Sequence, residues 1–532
     1  MKHPLRYLLG SVLLISSFFF IGCGGGGGGG GVLSPDSGWQ GITGPLDFSQ
    51  LATPTGYTTS GWPVSAGATS FSINGFTSSS IAAVLLANFT AASQTIILSA
   101  NQSFAASVQP ACSASRAADK ESRGSHFFTT LRSLEKANSS QNNTKFFTPR
   151  HASIKSAVPG TTYNFNVYSD KGPFIVTGKL FRSVSLPGGS GGNLHFYADE
   201  AIASNTTVAA YYNTIIDGWQ NFIYSTMHNV FGVELQAGDI TTGIDLGKDI
   251  YVLISPTLSD IDTNLAGFFY SGDLYPPERL TTAITNQLKI IYLNFRMDGS
   301  NKLTPEIMQS TMAHEFQHMI FYSNRIKNGV ISDDAWLNET LSAYAESACG
   351  FKVSNGKNQS KALLMQDYFD MMKQVPLVQD DGWGSNAQYG QVALFGEWFA
   401  EPEKYGASIK NIYSSKKTGM AAIEEVTGKP FEQVYAEWML AMYLDQNGKY
   451  GYDELSWPAI YTFQGLADVT LTGPIQAESL GNKISTASLA PQAITLMPFG
   501  CYMIEFAGGG DGQNLEFEIQ QNNAVTIFTM KK

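Results

Sequence analysis

The hydrophobic pattern changes character several times along the chain. From residue 39 to 112, short apolar runs alternate with Gly, Pro and Ser, the clearest being Ile81-Ala82-Ala83-Val84-Leu85-Leu86 and Thr95-Ile96-Ile97-Leu98. Runs of this length bounded by turn residues predict strands, and 36–112 reads as a β-sandwich-like domain. Between 113 and 160 branched apolar residues thin out, and eight Lys/Arg stand against three Asp/Glu. That stretch predicts a solvated basic linker; its functional version would be a protease-accessible processing site. Alternation resumes at Tyr163-Asn164-Phe165-Asn166-Val167-Tyr168 and Phe174-Ile175-Val176, and a helical period follows from Val208 to Phe231. Ile250 to Ile254 and Leu288 to Phe295 predict strands, while Ile307 to Tyr322, Ala335 to Ala348 and the span from Gln391 to Met442 predict helices. These elements delimit a central domain over 161–460. The tail, 461–532, returns to short strands and Gly-rich turns and reads as a second β module, so the fold class is α+β with flanking β modules.

Composition narrows the class. Of 532 residues 43% are apolar and 14% charged, and the net charge is −11 with only 33 Lys+Arg. An acidic chain with few cations argues against a nucleic-acid partner, because phosphate neutralisation needs a concentrated basic surface. The N-terminus supplies an address. Lys2, His3 and Arg6 precede an apolar run from Tyr7 to Ile21, the pattern of an export signal over 1–22. It ends in Phe20-Ile21-Gly22-Cys23, which resembles the lipobox of bacterial lipoproteins, although Phe20 stands where Leu is usual. The resemblance implies acylation of Cys23 and a lipid-anchored protein at a bacterial membrane, with the Gly-rich segment 23–35 as a flexible tether. Use of Cys23 leaves Cys112, Cys349 and Cys501, an odd number that predicts no disulfide framework.

The centre carries His314-Glu315-Phe316-Gln317-His318. Four residues apart on a helix, His314 and His318 lie one above the other and can reach one metal ion, with Glu315 placed to hold a water. Thr304 as N-cap, Pro305 in the first turn and an apolar face of Ile307, Met308, Met312, Phe316 and Ile320 support the helix. Downstream runs Asp334-Ala335-Trp336-Leu337-Asn338-Glu339-Thr340-Leu341-Ser342-Ala343-Tyr344-Ala345-Glu346, a second amphipathic helix. Two imidazoles and a carboxylate leave the fourth position of Zn2+ open, as a catalytic zinc requires. His195 and His228 read as structural. Glu339 and Glu346 are seven apart, two turns, so periodicity leaves either able to face the histidines.

These two segments look like those of the gluzincin metallopeptidases and are most similar to the hyicolysin family of neutral zinc metallopeptidases. The resemblance spans about 194–450 and implies a mixed sheet lobe plus a helical lobe, with His314, His318 and Glu339 on zinc and Glu315 as the catalytic base. The match at Asn338-Glu339 selects Glu339 as ligand and leaves Glu346 an outer or surface role. Trp-Leu-Asn-Glu is also similar to zinc aminopeptidases, but the Gly-x-Met-Glu-Asn motif that anchors a free amino terminus is missing. It is similar as well to the Asn-Glu-x-x-Ser-Asp stretch of thermolysin-like enzymes, with Ala343 in place of the Asp. The group orienting a ligand histidine is then Asn338 or Glu346. Gluzincins supply a Tyr or His donor after the third ligand, and no His follows His318. Tyr389, whose setting resembles that of the aminopeptidase tyrosine, is the expected oxyanion donor, with Tyr344 next. Gly267 to Asp273 is a candidate edge strand for an extended polypeptide substrate. The competing readings are a non-catalytic surface adhesin and a zinc aminopeptidase.

Overall fold

The computed structural model describes residues 58–59, 70–76, 81–90, 92–100, 105–107, 124–140, 158–189, 191–236, 246–262, 265–295, 304–330, 335–378, 384–445, 451–474, 492–507, 513–520 and 525–531. Residues 1–22, read above as an export signal, Cys23 and the Gly-rich segment 23–35 lie outside them. In chain order the elements begin with strands β1 (Thr58–Thr59), β2 (Ser70–Phe76), β3 (Ile81–Asn88), β4 (Gln94–Ala100) and β5 (Ala105–Ser107), then helix α1 (Gly124–Ser140). The central domain follows with β6 (Thr162–Val167), β7 (Phe174–Ser185), β8 (Asn193–Asp199), α2 (Thr206–Gly218), α3 (Tyr224–Phe231), β9 (Ile250–Ser255), β10 (Gly267–Phe268) and β11 (Ile290–Asn294). Next come α4 (Pro305–Asn328), α5 (Ala335–Ala348), α6 (Gln359–Met371), α7 (Asn386–Phe399), α8 (Ile409–Ser414), α9 (Gly419–Thr427) and α10 (Phe431–Leu444). The chain ends with β12 (Ala459–Tyr461), β13 (Val469–Leu471), β14 (Gln492–Leu496), β15 (Cys501–Ala507), β16 (Gln513–Gln520) and β17 (Val525–Lys531).

A six-stranded sheet in the order β10-β11-β9-β8-β7-β6 forms the floor of the central domain. Strands β8, β9 and β11 run parallel, and every residue of β9 is buried, as expected of a strand covered on both faces. Antiparallel β10 closes one edge. There α4 crosses so closely that a Cβ on Gly267 would stand 2.6 Å from the Tyr292 carbonyl oxygen and 2.8 Å from Thr311 Cγ2. Glycine at 267 therefore brings the sheet edge against the turn of α4 that leads into His314.

Helix α4 is bounded as its sequence predicts. The Thr304 hydroxyl accepts from the Ile307 N–H at 3.3 Å and Pro305 occupies the first turn. At the far end Gly329 turns left-handed (φ 70°), with Val330 N–H donating to the Arg325 carbonyl at 2.9 Å and Gly329 N–H to that of Ile326 at 3.1 Å, a Schellman stop.

Two expectations are corrected. The β segments at 36–112 and 461–532 do not form separate modules: among the described residues their strands interleave in two sheets, β1-β17-β3-β15-β5 and β14-β4-β16-β2. Neither segment can satisfy its strand edges alone, so each supplies partners for the other; Val84 pairs with Ile504, Leu86 with Ile527 and Ile96 with Ile494. Val84, Leu86, Ile96, Leu98, Ile494 and Ile504 fill the space between the sheets. The alternate residues Leu85, Ala87, Met503 and Phe528 join the core of the helical lobe. This double burial explains why β3 reads as one unbroken apolar run rather than an alternating one. The second correction concerns 113–160, read as a linker: residues 124–140 form α1, with Phe127, Phe128 and Leu131 in the main core. Phe127, Phe128, Leu131 and Leu134 make a helical stripe that the surrounding polar residues obscured.

Phe499 joins the sandwich to the helices. Its ring meets Phe431 at 5.5 Å and Phe89 at 6.2 Å, its N–H donates to the Asn88 carbonyl at 2.8 Å, and its carbonyl accepts from Tyr435 Oη at 2.7 Å. Phe499→Ala should cost about 3–5 kcal/mol through the cavity it leaves, read as a lower urea midpoint; an unchanged midpoint would show that this junction does not hold the two parts together.

Candidate metal centre

The site is assembled by two helices. His314 and His318 stand one turn apart on α4 with ring centroids 5.0 Å apart, and α5 packs alongside and presents Glu339. Glu339 Oε2 lies 3.3 Å from His314 Nε2 and 3.7 Å from His318 Nε2. One ligand atom from each of the three falls within 4.8 Å of the others, and all three side chains are buried.

Each imidazole is oriented from behind. His314 Nδ1 is 2.8 Å from Glu346 Oε1, and His318 Nδ1 is 3.1 Å from Asn338 Oδ1. The facing atoms, Glu346 Oε1 and Asn338 Oδ1, are acceptors, so in each neutral ring the proton sits on Nδ1 and the Nε2 lone pair faces Glu339. Glu346 is itself held by Ser310 Oγ at 3.0 Å and by the amide of Asn358, which also caps α6. Burial pushes the His318 imidazole well below its usual range, keeping it neutral as ligation requires. For Glu339 burial opposes ionisation, and the Arg132 guanidinium beside it is the permanent charge that holds the carboxyl below the usual range. Two neutral nitrogens and one carboxylate oxygen are a donor set that suits zinc.

Glu315, beside His314, is buried. Burial pushes its carboxyl up to about 7, against the lowering effects of His314, Arg132 and the Phe269 N–H. Its Oε2 is buried with no hydrogen-bond partner among the described residues. An orphaned carboxylate oxygen next to a ligand set is where a water would be held and deprotonated.

Comparison with protein-family models finds no match, and comparison with curated proteins finds none. Solved structures with some similarity include a mutant M1 zinc metallopeptidase from Deinococcus radiodurans bound to a Tyr-Ser-Ala substrate, at TM-score 0.28 and 12% identity over 53% of this chain and 61% of that chain. Another is an M1 zinc metallopeptidase from Deinococcus radiodurans, at TM-score 0.27 and 10% identity over 53% of this chain and 59% of that one. A two-domain M1 zinc metallopeptidase mutant bound to L-tryptophan gives TM-score 0.26 and 11% identity over 53% and 61%. The chain thus covers about three fifths of the length of the solved structures it matches.

The other candidates lie on several elements. Tyr389 is buried in the first turn of α7, the helix that packs on α5. Tyr344 meets Phe231 edge-on at 6.1 Å, and burial pushes its phenol up to about 12. His195 lies between Ser183 and Asp249, and His228 faces Glu234 at 2.7 Å, both apart from the metal cluster. Of Gly267 to Asp273 only Gly267–Phe268 is strand, at the sheet edge, and Ser271–Leu274 is a single tight turn.

Several neighbours escaped sequence reading. Tyr322, one turn past His318, donates to Glu135 Oε2 at 2.9 Å; its signal was the spacing of four that continues 314 and 318. Arg132 and Glu135 come from α1 and had no signal, because nothing local ties residue 132 to residue 339.

Zinc titration separates the roles of the two glutamates on α5. Glu339→Ala should abolish measurable binding, whereas Glu346→Gln should weaken it about 10- to 100-fold, the usual effect of losing a partner behind a ligand. Retained zinc in the first variant and lost zinc in the second would reverse the assignment.

Proposed function

We propose that the chain is a zinc-dependent peptide-bond hydrolase acting as an endopeptidase. The observation that carries this reading is the convergence of His314, His318 and Glu339 within 4.8 Å, beside the buried Glu315 Oε2 that has no partner among the described residues. When bound, zinc supplies a Lewis acid that polarises a carbonyl and lowers the pKa of water to about 7.

The chain's own residues supply the rest. Glu346 and Asn338 fix the ring tautomers and keep both Nε2 lone pairs aimed at the ligand position. Glu315 takes the proton of the attacking water and passes it to the leaving amine, a role that needs a carboxylate within reach of both. β10, at the sheet edge, offers backbone groups to an extended polypeptide, which favours an endopeptidase over an enzyme that grips a free amino terminus. Tyr389 is proposed as the donor to the developing oxyanion. Membrane attachment through a lipidated Cys23 at a bacterial cell envelope belongs to the same proposal and rests on the sequence at residues 20–23. Among the described residues no helix is long and apolar enough to cross a membrane.

Zinc-loaded protein should digest unfolded casein and stop when a chelator is added. Glu315→Gln should retain zinc yet lose about 10²- to 10⁴-fold in turnover, since only the proton acceptor is removed. Zinc-loaded wild type that is inert toward unfolded polypeptides would overturn the enzyme reading.

Tyr389→Phe should lower turnover about a hundredfold with zinc content unchanged. A normal rate in that variant together with a slow Tyr322→Phe would move the role to α4.

A further inference from the structure

Helix α1 lies across the candidate centre and touches both of its walls. On the sheet side Phe127 meets Phe268 edge-on at 5.3 Å, the Ser271 N–H donates to Glu135 Oε1 at 2.9 Å, and the Thr281 N–H donates to Asn138 Oδ1 at 3.1 Å. On the helix side Tyr322 donates to Glu135 Oε2, and Arg132 reaches the ligands themselves. Arg132 Nη2 is 2.9 Å from Glu339 Oε1 and 3.3 Å from His318 Nε2, Nε is 3.2 Å from Glu339 Oε1, and Nη1 is 2.6 Å from Glu135 Oε2.

These contacts conflict with metal binding at one atom. Asn338 keeps the proton of His318 on Nδ1, so Nε2 carries a single in-plane lone pair. An Arg132 N–H points at that lone pair, and the same lone pair is what a metal needs. The guanidinium also supplies the positive charge that the buried Glu339 carboxylate demands. Phe127 and Glu135, meanwhile, hold the residues beside β10 where an extended peptide would lie.

We propose that α1 is an internal plug: Arg132 competes with zinc for His318 and Glu339, and the helix blocks the substrate path along β10 until it is displaced. The proposal rests on the zinc reading above and adds a segment of the chain as its competitor. Uptake of metal and release of α1 are then linked, because a species that binds only the unplugged state shifts the population toward that state.

The test uses the full chain, with zinc alone as the probe. Arg132→Met keeps the length of the side chain and removes its charge and donors. It should bind zinc at least about tenfold more tightly than wild type, the scale of one lost charge-assisted competitor. Phe127→Ala leaves Arg132 in place and removes an anchor of the helix on Phe268; it should also tighten zinc binding, which covers the case in which Arg132→Met fails to fold.

The second readout is tryptic cleavage after Arg132 and Lys136. A docked helix is protected, so saturating zinc should speed cleavage of wild type at these sites by about tenfold or more. Equal zinc affinity in wild type and both variants, weaker binding in Arg132→Met, or cleavage indifferent to zinc would each overturn the plug while leaving the peptidase reading standing. Failure of every form to bind zinc would overturn both.

Discussion

Enclosing the Glu339 carboxylate with no exposed surface between two helices costs several kcal/mol unless cations and donors surround it, and most of the described site is that surround. Arg132 reaches it from α1 with two N–H groups and Ser342 Oγ lies 3.3 Å from its Oε2 on its own helix, while the Nε2 lone pairs of His314 and His318 that face it from α4 add a demand for a cation rather than meeting one. Because the charge stays buried, its compensation cannot be removed without replacement. A guanidinium and a divalent metal are alternative answers to the same electrostatic demand, which is why the ligand set and α1 belong to one account rather than two.

The same reasoning extends outward through Glu346. This second buried carboxylate holds the His314 ring, and Lys361, inserted between α5 and α7, lowers its pKa in turn while donating to the Ala343 carbonyl at 2.6 Å and Ser347 Oγ at 2.8 Å. Burial still works against ionisation there, but Lys361, His314 and Asn358 outweigh it. A chain of partners thus runs from His314 through Glu346 to α6 and α7, and the orientation of a ligand depends on the packing of helices well behind it.

Sequence legibility followed the range of the interaction. The 314/318 pair, the cap at Thr304 and the helix around Glu339 depend on residues within a few turns, and spacing exposes them. The Glu339 and Glu346 ambiguity is of the same local kind, since both lie on one face; only the packing of α4 against α5 sets which stands level with the imidazoles. Arg132 is different. Its partner is 207 positions away, and the residues around it are polar enough to look like a connector. The interleaved sandwich is different for the same reason, because a strand's own sequence reports that it will pair, not with what. Tyr389 illustrates the limit from the other side: a motif-like setting locates it at the start of a buried helix without fixing what its hydroxyl does.

The sandwich places constraints on the order in which the molecule can be completed. β3 lies between β15 and β17, so a strand made near the start of synthesis waits for residues beyond 500 before either of its edges is closed. Until then Val84, Leu86 and Ile96 have no opposing sheet, and the apolar run of β3 is a sticky edge of the kind that pairs with the wrong partner. The central domain, whose sheet and helices are contributed by a continuous stretch, is under no such delay. Closure of the sandwich is therefore a step of high contact order, and a chain cut before β15 would leave both edges of β3 open and the helical lobe without the packing of Met503 and Phe528.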